Sequence, residues 1–298
     1  MKTINPKDVP QAFLHSQLLA AIAPRPIAFA STINKDGVPN LAPFSFFNVF
    51  SSNPPIVIFS PARSGRTGKT KHTHNNVLEV PEVVINIVNY PMYQQTNLAS
   101  TEYAEGIDEF IKAGFTPVNS EMIKPFRVKE SPVQLECKVI EVKELGQGGG
   151  AGNLIIAEVV LMHINESILD SDGKIDQFKI DLVARMGYAY WLRANNNNIF
   201  KVQNPVSTST LGYDQIPVDI KNSKILSGND LGMLGNFNEL PDETTVNEYK
   251  LMELSDLFIN YQDNPPILEE KLHQKAKELL SEGKTDEAWK TLLAFNNR

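Results

Sequence analysis

Two apolar runs joined by a glycine-rich link place the tightest limit on the fold. In "SPVQLECKVIEVKEL" (131–145), Val133, Leu135, Cys137 and Val139 alternate with Gln134, Glu136 and Lys138. That two-residue period predicts a half-buried strand, apolar inward and polar outward. "NLIIAEVVLMHI" (153–164) is its expected hairpin partner, reached through "GQGGGAG". The glycine run has a superficial likeness to a dinucleotide-binding fingerprint. Such a fingerprint follows a strand and opens a helix, whereas these glycines lie between two strands, so they read as a hairpin loop.

The upstream segments point the same way. "PIAFASTI" (26–33) is a short β-leaning run, and "NKDG" (34–37) after it is strong turn chemistry. "VPNLAPFSFF" follows, then "PPIVIFS" (54–60) and "EVVINIVNY" (82–90), the last with polar Asn86 inside it. Strand, tight turn and strand in succession predict an antiparallel meander rather than βαβ units. "MYQQTNLAS" and "GIDEFIKAGF" read as helices, the second ended by Gly114 and Pro117. The expected fold class is therefore mainly β: a barrel-like core with peripheral helices.

The expected domain boundary lies near the asparagine run 195–198, giving a barrel domain over 1–200 and a C-terminal extension over 201–298. From about 205 to 265 the chain is polar, turn-rich and without a clear periodicity. Beyond it, Leu268, Leu272, Ala276 and Leu279, then Gly283, then Ala288, Leu292 and Leu293 predict a helical hairpin. One such pair resembles half of a helical repeat, but there is no second copy.

Charge and cysteine use narrow the function classes. The net charge is −7, and residues 1–200 carry 18 basic against 19 acidic side chains, while 201–298 carry 10 against 16. An acidic chain of this kind is not a general nucleic-acid binder. Its single cysteine, Cys137, excludes a disulfide framework and a thiolate-rich metal site. With no apolar run of membrane-spanning length and no signal-peptide pattern, a cytoplasmic protein is expected.

One segment runs against the acidic balance. "SPARSGRTGKTKHT" (60–73) brings Arg63, Arg66, Lys69 and Lys71 together with hydroxyls, glycines and no acid, directly after a strand. Guanidinium, ammonium, hydroxyl and free backbone N–H groups are what a protein uses to hold a phosphate. The spacing of Gly65, Gly68 and Lys69 does not meet the P-loop pattern. His72 and His74 stand two apart, which shares a face only on a strand, and no third metal ligand is evident. His163 reads as a core histidine, Cys137 as a buried and inert one, and no pair of carboxylates stands out as catalytic.

Pro24-Arg25-Pro26, Ser31-Thr32, Gly37, Asn40 to Ser45 ("NLAPFS") and Pro54-Pro55 follow one another in order. Lys71-His72-Thr73, Asn76 and "INIV" (85–88) continue the series, and "GIDEFIKAGF", "SPVQLECKV" and "ARMGYAYW" complete it. In this the chain resembles the flavin reductase-like, FMN-binding split-barrel family, flavoredoxins included, over about residues 20–195. It departs from the family pattern at His72, where an Asp is usual.

The resemblance implies a split barrel that binds FMN. It implies Arg63, Ser64, Lys71 and Thr73 at the phosphate, and Asn40, Leu41, Ala42, Pro43 and Ser45 at the isoalloxazine ring. Thr32, Ser60 and Asn86 complete the cofactor-binding set. It also implies NADH or NADPH as electron donor and a homodimer whose partner subunit can contribute to the pocket. Three activities remain open: a nicotinamide-dependent flavin reductase, a flavoredoxin-like carrier reduced by a redox protein partner, and a non-catalytic barrel acting through its tail. The residues after 200 could cap the flavin or extend the dimer interface; neither nucleic acid nor membrane is an expected partner.

Overall fold

The computed structural model describes residues 1–205 and 210–295, and the chain divides into two compact units, Met1–Phe200 and Lys201–Arg298. The first unit opens with α1 (Gln11–Ala21), β1 (Ala28–Ile33), β2 (Pro39–Phe44), β3 (Phe47–Ser52) and β4 (Pro55–Phe59). Then come α2 (His72–Glu79), β5 (Glu82–Ile87), α3 (Tyr93–Leu98) and α4 (Glu109–Ala113). A short ribbon of β6 (Pro117–Val118) and β7 (Arg127–Val128) precedes the long hairpin of β8 (Val133–Glu144) and β9 (Asn153–Ile164). A second ribbon, β10 (Val183–Arg185) with β11 (Trp191–Arg193), ends the unit.

Seven strands form one antiparallel sheet in the order β2-β1-β5-β8-β9-β4-β3. Its two edges, β2 and β3, are neighbours in the chain, separated only by Ser45 and Phe46. A sheet whose first and last strands are tied so closely must curl until its edges meet, and the result is the expected barrel, split at that corner.

The interior is filled from both ends of the sheet by Ala28, Ala30, Val57, Phe59, Ile85 and Ile155. Alternate residues on the same strands face outward into a second core, where Phe29, Leu41, Met92 and Phe110 pack beneath α3 and α4. Each fully buried Phe contributes about 1.5–3 kcal/mol of transfer free energy. Asp108 caps α4 by accepting from the Phe110 N–H, and Gly114 ends it in the left-handed region at φ 72°.

The hairpin departs from the simple alternation in one respect. From Val133 to Cys137 both faces of β8 are buried, Glu136 completely. The segment 119–131 lies over the supposedly solvent-facing side and satisfies its polar groups. Gln134 donates to Val128 O and Ser131 O and accepts from Arg127. Glu136 accepts from the Glu121 and Met122 N–H groups at 2.9 and 2.7 Å and pairs with His163 Nε2 at 2.8 Å. Burial pulls the Glu136 carboxyl pKa upward, but those two N–H groups and the imidazole outweigh it and hold it below the ordinary range. Cys137, next along the strand, has its thiol pushed up to about 12 by burial and by the Glu136 charge.

The second unit is helical where the sequence showed no periodicity. α5 (Val218–Lys221), α6 (Gly228–Gly235), α7 (Glu243–Glu253) and α8 (Ser255–Tyr261) lie in that stretch, of which 206–209 are outside the described residues. α9 (Pro265–Ser281) and α10 (Thr285–Leu293) form the expected hairpin, turning at Gly283 with φ 76°. Trp289 anchors the unit, fully buried and donating its indole N–H to Leu234 O.

Removing Glu136 strands two backbone donors and an imidazole. Glu136→Ala is expected to lower stability by about 3–5 kcal/mol. Urea unfolding followed by circular dichroism checks this; Glu136→Gln, which keeps an acceptor, loses less.

Candidate functional site

The corner where β2 passes into β3 opens into a cavity of about 470 Å³, within the usual range for a cofactor site. β2 supplies Asn40, Ala42, Pro43 and Phe44 to one wall, with Ser45 and Phe46 at the corner. The loop after β4 supplies Ser60, Ser64, Thr67, Lys69 and Thr70 to the opposite side, and Lys71, His72 and Thr73 follow at the start of α2. Residues 99–103, with Glu109, close the third side. One end is therefore cationic and rich in hydroxyls, while the other is walled by small and apolar side chains.

Eight of the predicted residues line this cavity: Asn40, Ala42, Pro43, Ser45, Ser60, Ser64, Lys71 and Thr73. They are held there by hydrogen bonds behind the wall. Asn40 Nδ2 donates to Thr73 Oγ1 at 2.9 Å, tying β2 to α2. Ser60 Oγ accepts from the Asn153 N–H at 3.0 Å. Four predicted residues do not line it. Thr32 is buried behind Asn40 and accepts from Asn76 Nδ2 at 3.1 Å, so it orients its neighbours. Leu41 points into the second core. Asn86 donates to Phe29 O and accepts from the Val128 N–H, which pins β7 to the sheet.

Arg63 is the largest difference. Its guanidinium, expected at an anion, is engaged by the protein through both terminal nitrogens, while Nε is buried without a hydrogen-bond partner among the described residues. Arg63 donates to Gly68 O at 3.3 Å, Glu144 Oε2 at 3.2 Å and Gln147 Oε1 at 3.0 Å. Its backbone also exchanges two hydrogen bonds with the glycine-rich hairpin: the Arg63 N–H donates to Ala151 O, and the Gly150 N–H donates to Arg63 O. The basic loop is thereby riveted onto the β8–β9 turn. Gly149 makes the approach possible. A Cβ there would lie 2.9 Å from Gly65 O and 3.0 Å from Ser64 O, closer than side-chain carbons come.

Arg25, in the Pro-Arg-Pro segment, likewise has a structural job. It is buried and donates to Leu19 O, Ile22 O and Met186 O. It thus caps the C-terminal carbonyls of α1 and joins them to the "ARMGYAYW" segment. Burial, and then Arg185, hold its pKa below the usual guanidinium value.

Sequence reasoning passed over two acidic residues of the cavity. Glu102 forms ion pairs with Lys71 and, at 3.0 Å, with Arg66; the Lys71 hydrogen bond is the main cause that draws its carboxyl pKa down. Glu109, at the first position of α4, accepts from the Leu41 N–H at 2.9 Å and is 4% exposed. Burial pushes its pKa up against the pull of that bond. The two histidines fall on α2 rather than on a strand, about 200° apart around its axis. His72 lines the cavity, while buried His74 faces Glu144 at 3.4 Å. Among the described residues no cluster of His, Cys, Asp and Glu is arranged to hold a metal ion.

The flavin reductase like domain, compared as a family profile, matches residues 20–179. The chain belongs to this family. A relative from Aquifex aeolicus (strain VF5) is 35% identical over 182 residues, which are 61% of this chain and 90% of the relative. The structure of nitrilotriacetate monooxygenase component B from Bacillus cereus superposes with a TM-score of 0.63 at 29% identity, over 68% of this chain and 98% of that one. Flavoredoxin of Desulfovibrio vulgaris (Miyazaki F) shares the fold, with a TM-score of 0.53 at 21% identity over 70% of this chain and 99% of that one. The family match takes in every lining residue except His15 and Leu19, which α1 brings to the rim.

A bulky side chain at Gly149 must push the rivet open, since the obstructing atoms are backbone. Gly149→Val is expected to cost about 1–3 kcal/mol and to expose the loop. Limited trypsin digestion checks this: cleavage after Arg63 and Lys71 rises in the variant, followed by mass spectrometry, while the wild type resists.

Proposed function

We propose that this flavin reductase-like chain binds FMN in the cavity at the β2–β3 corner and passes electrons from NADH or NADPH through it to an acceptor. The observation that carries the reading is the cavity's division into a hydroxyl- and lysine-lined end and a small-residue wall. A phosphate suits the first, where Ser64, Lys69, Lys71 and Thr73 gather. A flat ring with polar edges suits the second, where Ala42 and Pro43 leave room and Asn40 and Ser45 offer side-chain polar atoms. Arg63 and Thr32 serve this site indirectly, by fixing the loop and Asn40. When bound, FMN supplies hydride acceptance and onward electron transfer, and the protein sets its position and exposure.

A homodimer belongs to the same proposal. Edge strand β3 leaves Val49 and Phe50 65% and 64% exposed beside the cavity's corner, an apolar edge that a second copy would cover. Phe50→Asp is expected to yield a monomer by analytical ultracentrifugation, where the wild type sediments as a dimer; a monomeric wild type removes this part of the proposal. Among the described residues no helix is long and apolar enough to cross a membrane. The buried, protonated Cys137 is compatible with the reducing cytoplasm that we propose as the compartment.

The primary test is retention of FMN through gel filtration, followed by anaerobic addition of NADH and then NADPH. Flavin bands that co-elute and bleach with a nicotinamide support the reading. Bands that co-elute but bleach with neither donor replace the reductase by a carrier reduced by a protein, and no retained FMN overturns the proposal. Lys71→Ala combined with Thr73→Val is expected to weaken FMN binding about 10- to 100-fold, since one charge-assisted hydrogen bond is worth about 1.5–3 kcal/mol. Fluorescence titration measures the change.

A further inference from the structure

Glu109 combines two properties that rarely coincide: it is 4% exposed, yet it lines the cavity. Its place is fixed from both sides. Asp108 caps α4 through the Phe110 N–H at 2.8 Å, and Phe110 and Ala113 are buried in the second core. The carboxylate itself receives the Leu41 N–H at 2.9 Å, and Leu41 lies between Asn40 and Ala42, both of which line the cavity.

That bond has a cause in the strand. Backbone N–H groups alternate sides along β2, so those of residues 39, 41 and 43 share its free edge. Positions 39 and 43 are prolines and carry no N–H. Leu41 therefore offers the lone donor among them, and Glu109 takes it.

The charged and titratable surroundings give the carboxylate no ion-pair partner at contact distance among the described residues. From α2 and its cap come His72, whose charge acts on Glu109, and Lys71, which is engaged by Glu102. From the 99–103 segment come Glu102 and Tyr103, and from α4 itself Asp108 and Lys112, whose ammonium sits 5.9 Å over the Tyr103 ring. Among the described residues no cation lies within ion-pair distance of Glu109. Burial raises its pKa, so it takes up a proton more readily than a solvated carboxylate, while the Leu41 N–H supports its charged form.

Resting on the flavin reading above, we propose that Glu109 is the cavity's proton-holding group, binding one proton from water when the cofactor is reduced and releasing it on reoxidation. A nicotinamide delivers two electrons and one proton as hydride, which brings one negative charge into the cavity. Glu109 answers by forming a carboxyl O–H bond with a solvent proton, so the site's net charge is unchanged. The nicotinamide is the reductant and the flavin the oxidant; the carboxylate changes only its protonation. Its role is to couple the electrons to a proton, not to break a bond in the substrate.

The test is the midpoint potential of the FMN-loaded protein as a function of pH, measured by spectroelectrochemistry in the wild type and in Glu109→Gln. Glutamine keeps an acceptor for the Leu41 N–H but cannot ionise. Each proton linked to a two-electron couple adds about 30 mV for every tenfold change in proton concentration. The wild-type potential is expected to fall about 30 mV per pH unit more steeply than the variant's over the interval where Glu109 titrates. Parallel slopes, with FMN retained by both proteins, overturn the inference and leave the flavin reading intact. A wild type that retains no FMN overturns both. Should the variant alone lose FMN, the reduced-minus-oxidised infrared difference spectrum of the wild type decides: a gained protonated-carboxyl band supports the proposal, and its absence overturns it.

Discussion

The two backbone hydrogen bonds between Arg63 and the β8–β9 turn hold the site together. A loop that carries Arg63, Arg66, Lys69 and Lys71 within nine residues repels itself. It stays compact because one of its cations is spent inward, on Glu144, Gln147 and Gly68, and because its backbone joins the hairpin as a short extra ladder. Lys69 and Lys71 are then presented to the cavity, and Arg66 pairs with Glu102. The glycine run with a superficial likeness to a nucleotide fingerprint serves the cavity at one remove: it accommodates the loop, and the loop faces the cavity.

The opposite wall is built on a different economy of donors. Pro39 and Pro43 strip β2's free edge of N–H groups, which also discourages that edge from pairing with a stray strand. What is left at the edge is filled by Glu109, and behind it Asn40, Thr32, Thr73 and Asn76 satisfy one another in a small buried network. The wall is rigid because its polar groups already have partners. Its small side chains, Ala42 above all, leave the room.

Much of this could be read from the residues alone, and the exceptions share a cause. The hairpin and the antiparallel order were legible because their signals are local, a two-residue period and tight turns, whereas the "NLAPFS" wall came from the resemblance to the family. The second face of β8 was not. Its burial depends on a polar segment that folds over it, and Glu136 next to Lys138 reads as a wetted face in any window of sequence. The partners of Arg63 were not legible because composition does not reveal which of four cations meets a carboxylate 81 residues further on. Glu109 was not singled out, because an acid in the first turn of a helix is accounted for by the macrodipole alone. The helices between 218 and 261 escaped notice because they are short and their apolar stripes narrow.

The ion pairs of Glu102 give the cavity a further character. Lys71 and Arg66 already have a carboxylate between them, so an arriving anion does not simply fill an open positive site. An anion bound there, as proposed, would exchange with a resident one. Glu102 is half exposed and returns to water at little cost. Seating an anion there is in effect a displacement, in which the protein gives up a tethered counter-ion as it takes a free one. Such a site is less sensitive to salt than its count of lysines and arginines implies.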